Sequence, residues 1–290
     1  MTNPTDGIII HREPVTLKKA ARATVVRLYD EAVVTKTIVE KITYLSDGLQ
    51  VKGYLARPVQ VGHYPVLIWN RGGSGDRGAL NDMTAYLILA STAVWGYVVL
   101  GTQYRGNRGS EGEEDWGGED VNDTLNLLEV ANNIPEADPE LCAIEGASRG
   151  GLTTYRALSM NHSFKCAIVH AGITDVVRLC EQKSDFKKYL KKLFGHLCDD
   201  DRQEELHRRS AVRFAEQLPK DVPLLIMHGD SDEVVPLEQS QLLVARLKKL
   251  HIPHKFIILE GGTHVALKDG TYREIDRYRR AWLKKYLKKT

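Results

Sequence analysis

Six short apolar runs, most of them separated by amphipathic stretches, limit the folds open to this chain more than any other feature. They are residues 66–69 (VLIW), 98–101 (VVLG), 142–145 (CAIE), 167–170 (AIVH), 224–227 (LLIM) and 255–259 (KFIIL). Between them Val121, Leu125, Leu128 and Ala131 recur at helical spacing, as do Leu243, Leu247 and Leu250. Pro236 suits the first position of the second of these helices. Short apolar strands alternating with helices imply βαβ units and a mostly parallel sheet covered on both faces. The expected class is therefore α/β. Residues 36–57 read as two further strands around the turn Ser46-Asp47-Gly48. Residues 1–35 form an N-terminal extension, expected to add a helix or a strand, and residues 36–290 form the main domain. Residues 174–218 interrupt the rhythm as a long charged insertion, with Phe186, Leu190, Leu193, Phe194 and Leu197 near helical spacing. They are expected either to pack as solvated helices or to cap a site.

Composition mainly excludes. A net charge of +2 points to neither nucleic acid nor a membrane surface as partner, and no apolar run approaches the roughly 20 residues that span a bilayer. The polar start MTNPTDG lacks the apolar core of a signal peptide, so the expected location is cytoplasmic. Cys142 and Cys166 open apolar runs and read as reduced core residues. Cys180 and Cys198 flank a helical stretch and could pair, but no spacing of the four cysteines suits a metal.

The chemistry centres on Gly146-Ala147-Ser148-Arg149-Gly150-Gly151, which follows the run CAIE and opens the amphipathic run LTTYRAL. A GxSxG match alone arises by chance in about one chain in ten of this length. The strand–turn–helix setting makes it specific, because a nucleophile elbow lifts a serine hydroxyl clear of a tight turn. A hydroxyl needs a base, and His264 follows KFIILE and a Gly261-Gly262 turn at the carboxyl end of a strand, where open α/β sheets place their sites. His228 and His170 also end strands and read as structural. Asp232 is the carboxylate expected to orient the imidazole, while Asp230 reads as a cap on turn amides and Glu233 as a rival. The expected oxyanion donors are the backbone N–H groups of Arg149 and of Arg71, the latter in the glycine-rich loop Asn70-Arg71-Gly72-Gly73-Ser74-Gly75. No Walker-type Gly-Lys-Ser/Thr follows that loop, which argues against phosphate binding. Tyr104, Arg105 and Arg108 follow another strand and are candidates for binding a substrate carboxylate, or for tying their turn to acids such as Glu111. The basic residues of 278–290 read as the solvated face of a docked helix.

Taken together, Tyr104-Arg105-Gly106, Gly109-Ser110-Glu111-Gly112, the GASRGG elbow, HGDSDEVVP and GGTH resemble, in that order, the catalytic domain of the prolyl oligopeptidase family of serine peptidases. The resemblance runs from about residue 40 to 288. It implies an α/β-hydrolase fold and the triad Ser148, Asp232 and His264, with no cofactor and no metal. Two departures stand out: the chain has no room for the β-propeller of larger members, and Arg71 stands where strong peptidases often carry a tyrosine. The expected function is cleavage of a short peptide or a small ester through an acyl-enzyme. A carboxylesterase, or a binding protein that merely retains the fold, are the alternatives. Oligomeric state is left open by the sequence.

Overall fold

The computed structural model describes residues 4–161, 163–195 and 199–288. Nine strands form one sheet. They are β1 (Ile9–Pro14), β2 (Thr37–Ser46), β3 (Leu49–Pro58), β4 (Tyr64–Asn70), β5 (Val98–Thr102), β6 (Ala137–Ala147), β7 (Cys166–His170), β8 (Leu224–Gly229) and β9 (His254–Leu259). Their spatial order is β1-β2-β3-β5-β4-β6-β7-β8-β9. The first three strands meet their neighbours, β5 included, in antiparallel register, and every pairing from β5 to β9 is parallel. All six apolar runs are strands of the α/β-hydrolase fold.

The period-2 geometry of these runs builds two cores. Val66, Ile68, Ile144, Val169 and Ile226 face one layer, while Leu67, Trp69, Ala143, Ile168 and Met227 face the other. The extension is sewn into the sheet. β1 pairs with β2, and α1 (Lys19–Leu28) and α2 (Glu31–Thr35) bury Val25 and Val33 in the second core. α3 (Asp82–Ala85) runs through a π-helical segment (Tyr86–Ala90) into α4 (Ser91–Ala93), on the same side. α5 (Val121–Asn132) and α6 (Arg149–Met160) follow around the elbow. The insertion folds as α7 (Val176–Gln182), α8 (Ser184–Phe194) and α9 (Asp199–Arg208), packed by Trp116, Leu152, Leu179, Leu190 and Leu206. Cys180 is a free thiol, and its suggested partner Cys198 lies outside the described residues, as does Leu197. α10 (Glu238–Lys249) begins two residues beyond Pro236, whose carbonyl accepts the Gln239 N–H at 2.9 Å. Pro236 therefore leads into the helix rather than starting it. α11 (Ala266–Asp269) and α12 (Tyr272–Tyr286) close the chain. The chain runs from β4 to β5 on one side and then crosses to β6 on the other. This reversal leaves a crevice at the carboxyl ends of β4 and β6, the place where such sheets bind ligands.

Candidate active site

Ser148 follows the last residue of β6 with φ 58° and ψ −123°, a conformation L-residues avoid and one that costs roughly 1–3 kcal/mol. Backbone bonds hold it there: its N–H donates to His170 O at 3.0 Å, and its carbonyl accepts from Gly151 at 2.9 Å and Ile173 at 3.3 Å. The flanking glycines are required by close approach. A Cβ on Gly146 would stand 2.1 Å from Gly150 O, and one on Gly150 would stand 2.0 Å from Asn70 O. The serine is half-buried, and its hydroxyl makes no hydrogen bond among the described residues.

Two strands away, Asp232 and His264 meet. His264 Nδ1 lies 2.7 Å from Asp232 Oδ2, while Asp232 Oδ1 accepts the N–H groups of Val234 and Val235, both at 2.9 Å. Burial works to raise the carboxyl's pKa. The bonds from His228, His264 and the Val235 amide prevail and hold it well below the usual carboxylate range. Asp232 therefore stays charged, and its contact with Nδ1 directs Nε2 of His264 away from the carboxylate. Asp230 ties the loop of Asp232 to that of His264, its Oδ1 accepting Gly261 N–H at 2.8 Å. His228 is buried between Ser240 Oγ at 2.7 Å and Val235 O at 2.9 Å, a supporting position. Asp269 caps the loop of His264 through Thr263 and Thr271, which hold its carboxyl down at about 2 against the effect of desolvation.

The structure thus brings Asp232 and His264 into contact, while the Ser148 hydroxyl has no hydrogen bond among the described residues. His170, on β7 between them, belongs to the same cluster. Desolvation first, then the neighbouring His228 and His264, push its pKa down to about 4, and its buried Nε2 has no hydrogen-bond partner among the described residues.

Arg149 is the first residue of α6, so its N–H has no acceptor within the helix and is free to face the crevice. Its buried guanidinium bonds Gly73 O at 2.9 Å, Asp120 Oδ2 at 2.5 Å and Glu114. Arg71 turns its own guanidinium inward onto the carbonyls of Gly72, Gly75, Arg77 and Gln103, at 3.0 to 3.3 Å. It shapes the loop that way, and Gly72 is a loop residue pressed on Ser148. A Cβ there would stand 3.1 Å from Ser148 Cβ.

The candidates Tyr104 and Arg105 have their polar ends engaged by groups of the protein itself. Tyr104 is fully buried, donates to Arg71 O at 3.1 Å and lies between the Arg71 and Arg149 guanidinium groups. Arg105 is spent on Asp123 at 2.9 Å and Asp47 at 2.7 Å, with Glu119 at 3.5 Å. The tie to acids was foreseen, but Glu111 contributes its backbone carbonyl to Gly106 and its carboxylate to Gln50 N–H instead.

Sequence reasoning missed the support behind the glycine-rich loop of residues 70–75. Glu114 accepts Gly75 N–H at 3.2 Å and the Tyr189 hydroxyl at 3.1 Å from the insertion. Trp116, at φ 51°, donates to Ser74 Oγ at 2.5 Å and packs against Phe186 and Tyr189. The only signal was an acidic stretch ending in a tryptophan, Glu113-Glu114-Asp115-Trp116.

Comparison with known proteins agrees with this geometry. Residues 84–290 match the model of the prolyl oligopeptidase family. The chain is 32% identical over 213 residues to the uncharacterized peptidase YtmA of Bacillus subtilis, covering 73% of this chain and 80% of that one. A Mycobacterium tuberculosis puromycin-hydrolyzing peptidase superposes with a TM-score of 0.70 at 26% identity, covering 86% of this chain and 40% of its own. Pyrococcus horikoshii acylaminoacyl peptidase gives 0.69 at 25% identity, covering 88% and 41%. This chain therefore spans about four-tenths of those two larger proteins. With a family match over most of its length, an elbow serine on one strand end and an Asp–His pair on another, the chain belongs to the prolyl oligopeptidase family of serine hydrolases.

Proposed function

We propose that the chain cleaves an amide bond of a short peptide or acylated amino acid, with Ser148 as nucleophile, His264 as general base and Asp232 as its orienting carboxylate. The observation that carries this reading is the charged Asp232 held 2.7 Å from His264 Nδ1, at the crevice where the strained Ser148 turn presents its hydroxyl. In the first step Ser148 Oγ bonds to the substrate carbonyl carbon, its proton passes to His264 Nε2, and the carbonyl π pair moves to oxygen. The Arg149 amide and an amide of the Arg71–Gly72 turn receive that oxyanion. Collapse expels the amine, which takes the proton from His264 and leaves an acyl-Ser148 ester. Water then attacks that ester by the same route, and the acid leaves. None of these steps requires a cofactor or metal.

The names of the structural relatives, a puromycin-hydrolyzing peptidase and an acylaminoacyl peptidase, support an aminoacyl or acylaminoacyl amide. A second reading, esterase action on small acyl esters, is favoured by the oxyanion loop. Arg71 stands there in place of a tyrosine and turns inward, so that side chain offers no hydroxyl to the oxyanion. Turnover of aminoacyl anilides against p-nitrophenyl esters separates the two. In either case Ser148→Ala is expected to lower kcat on the order of 10⁴-fold or more and to abolish labelling by a fluorophosphonate, with little change in Tm. Near-native turnover in that variant, or a wild-type chain inert to the probe, would sink the assignment.

A further inference from the structure

A cavity of about 630 Å³ opens between the N-terminal extension, the β2–β3 hairpin and the turn after β5, and no triad residue lines it. Its two carboxylates are already occupied. Asp82 accepts the Tyr54 hydroxyl at 3.0 Å, and Asp82 and Glu13 hold Lys41 between them, each at 3.3 Å. Three further cations reach the cavity from separate segments: Lys18 ahead of α1, Lys52 on β3 and Arg108 after β5. Lys52 is half-buried, and its ammonium donates to the neutral Thr43 hydroxyl at 2.9 Å. Among the described residues no carboxylate lies within ion-pair distance of Lys52 or Lys18. Arg108 reaches the exposed Asp76 through Nε at 3.4 Å. A Cβ on Gly109 would stand 4.0 Å from Lys52 Cε, so the lysine end lies beside the Arg108–Gly109 turn. Among the described residues the half-buried Lys52 ammonium has a neutral hydroxyl and no carboxylate beside it, a charge that an anion entering the cavity would balance. Leu17, Leu80 and Met83 supply apolar wall beside these charges.

We propose that this cavity binds a small organic anion, its carboxylate set between Lys52 and Arg108 and its carbon skeleton against Leu17, Leu80 and Met83. The site is independent of the hydrolytic reading. Titration calorimetry on the whole chain with hexanoate tests it, and hexanol supplies the same skeleton without charge. Saturable hexanoate binding is expected, with hexanol at least tenfold weaker and the affinity reduced about tenfold or more in Lys52→Met, the loss of one charge-assisted bond. Arg108→Met, on the exposed turn, is expected to weaken binding likewise and guards against misfolding of the β3 variant. Binding that survives both substitutions but is lost in Ser148→Trp belongs to the catalytic crevice and overturns the proposal. So does equal binding of hexanol, or no saturable binding at all.

Discussion

His170 shows how one residue serves both fold and site. Its carbonyl fixes the Ser148 turn, while its ring lies in the histidine cluster around Asp232, where burial keeps it neutral. Because the folded-state pKa, about 4, lies below the ordinary 6.5, the unfolded chain binds the extra proton between those values. Stability is therefore expected to rise with pH from about 4 to 6.5 and to be lost as the medium is acidified through that window. Asp269 is also depressed, to about 2, but its contribution is lost only at lower pH, below the ordinary carboxylate value, so the two are separable. Thermal melts of the wild type and His170→Gln between pH 4 and 7 check this: the variant should show the flatter slope. A variant slope equal to that of the wild type would assign the dependence elsewhere. At this scale the Asp232–His264 contact and the strained turn at Ser148 were legible, because each of these residues sits beside a punctuating turn that reads in one dimension. The contacts of Tyr104 and Arg105 were not legible, because their partners, Arg71 O in the loop after β4, Asp47 in the β2–β3 turn and Asp123 in α5, are brought together only by the fold.

Among the elements, the insertion is more than a solvated pair of helices. Phe186 and Tyr189 of α8 cover Trp116, and Tyr189 hydrogen-bonds the same Glu114 that holds Gly75 and Arg149 behind the oxyanion loop. On its other side Lys183 reaches Glu233 O, the carbonyl next to Asp232, and Arg178 pairs with Glu238. The insertion thus braces both the glycine-rich loop after β4 and the loop of Asp232. Tyr189→Phe keeps the ring packing and removes one hydrogen bond, so a stability loss of about 1 kcal/mol is expected. If the brace matters to chemistry, kcat should fall by about three- to tenfold with KM little changed, because a small shift of the oxyanion loop acts on the transition state. Unchanged kcat would confine the insertion to packing. β1 illustrates the opposite case for sequence reading. Five of its six residues are exposed on a sheet edge, so IIHREP shows no inward–outward alternation, and only its pairing with β2 makes it a strand. The inner strands, buried on both faces, announced themselves by hydrophobicity alone.

For the molecule as a whole, the chain's last helix is locked to its middle. Arg279 of α12 makes a buried pair with Glu145 of β6 at 2.6 and 3.0 Å, joined by Asp276 at 2.6 Å and Thr92 at 2.8 Å. The amphipathic pattern of α12 foretold that it would dock, but one sequence could not show that a charge on its inner face would meet a buried acid on a strand. Arg279→Met strands Glu145 without a partner and is expected to cost about 3–5 kcal/mol, read by urea unfolding. Adding Glu145→Leu should recover most of that loss, since a well-packed apolar pair can replace a buried ionic one. Equal instability of the double variant would mean that the pair contributes net stability of its own. Labelling of Ser148 at low urea should be unaffected in both.

The sub-van der Waals spacing that any side chain would meet at Gly146 and Gly150 has an evolutionary corollary. The Ser148 hydroxyl is aimed by main-chain atoms, which no exchange of neighbouring side chains can re-aim. Change in such a lineage is therefore freer in segments that bear on the loop from outside, such as α8 with its contacts to Trp116 and Glu114, than in the turn itself.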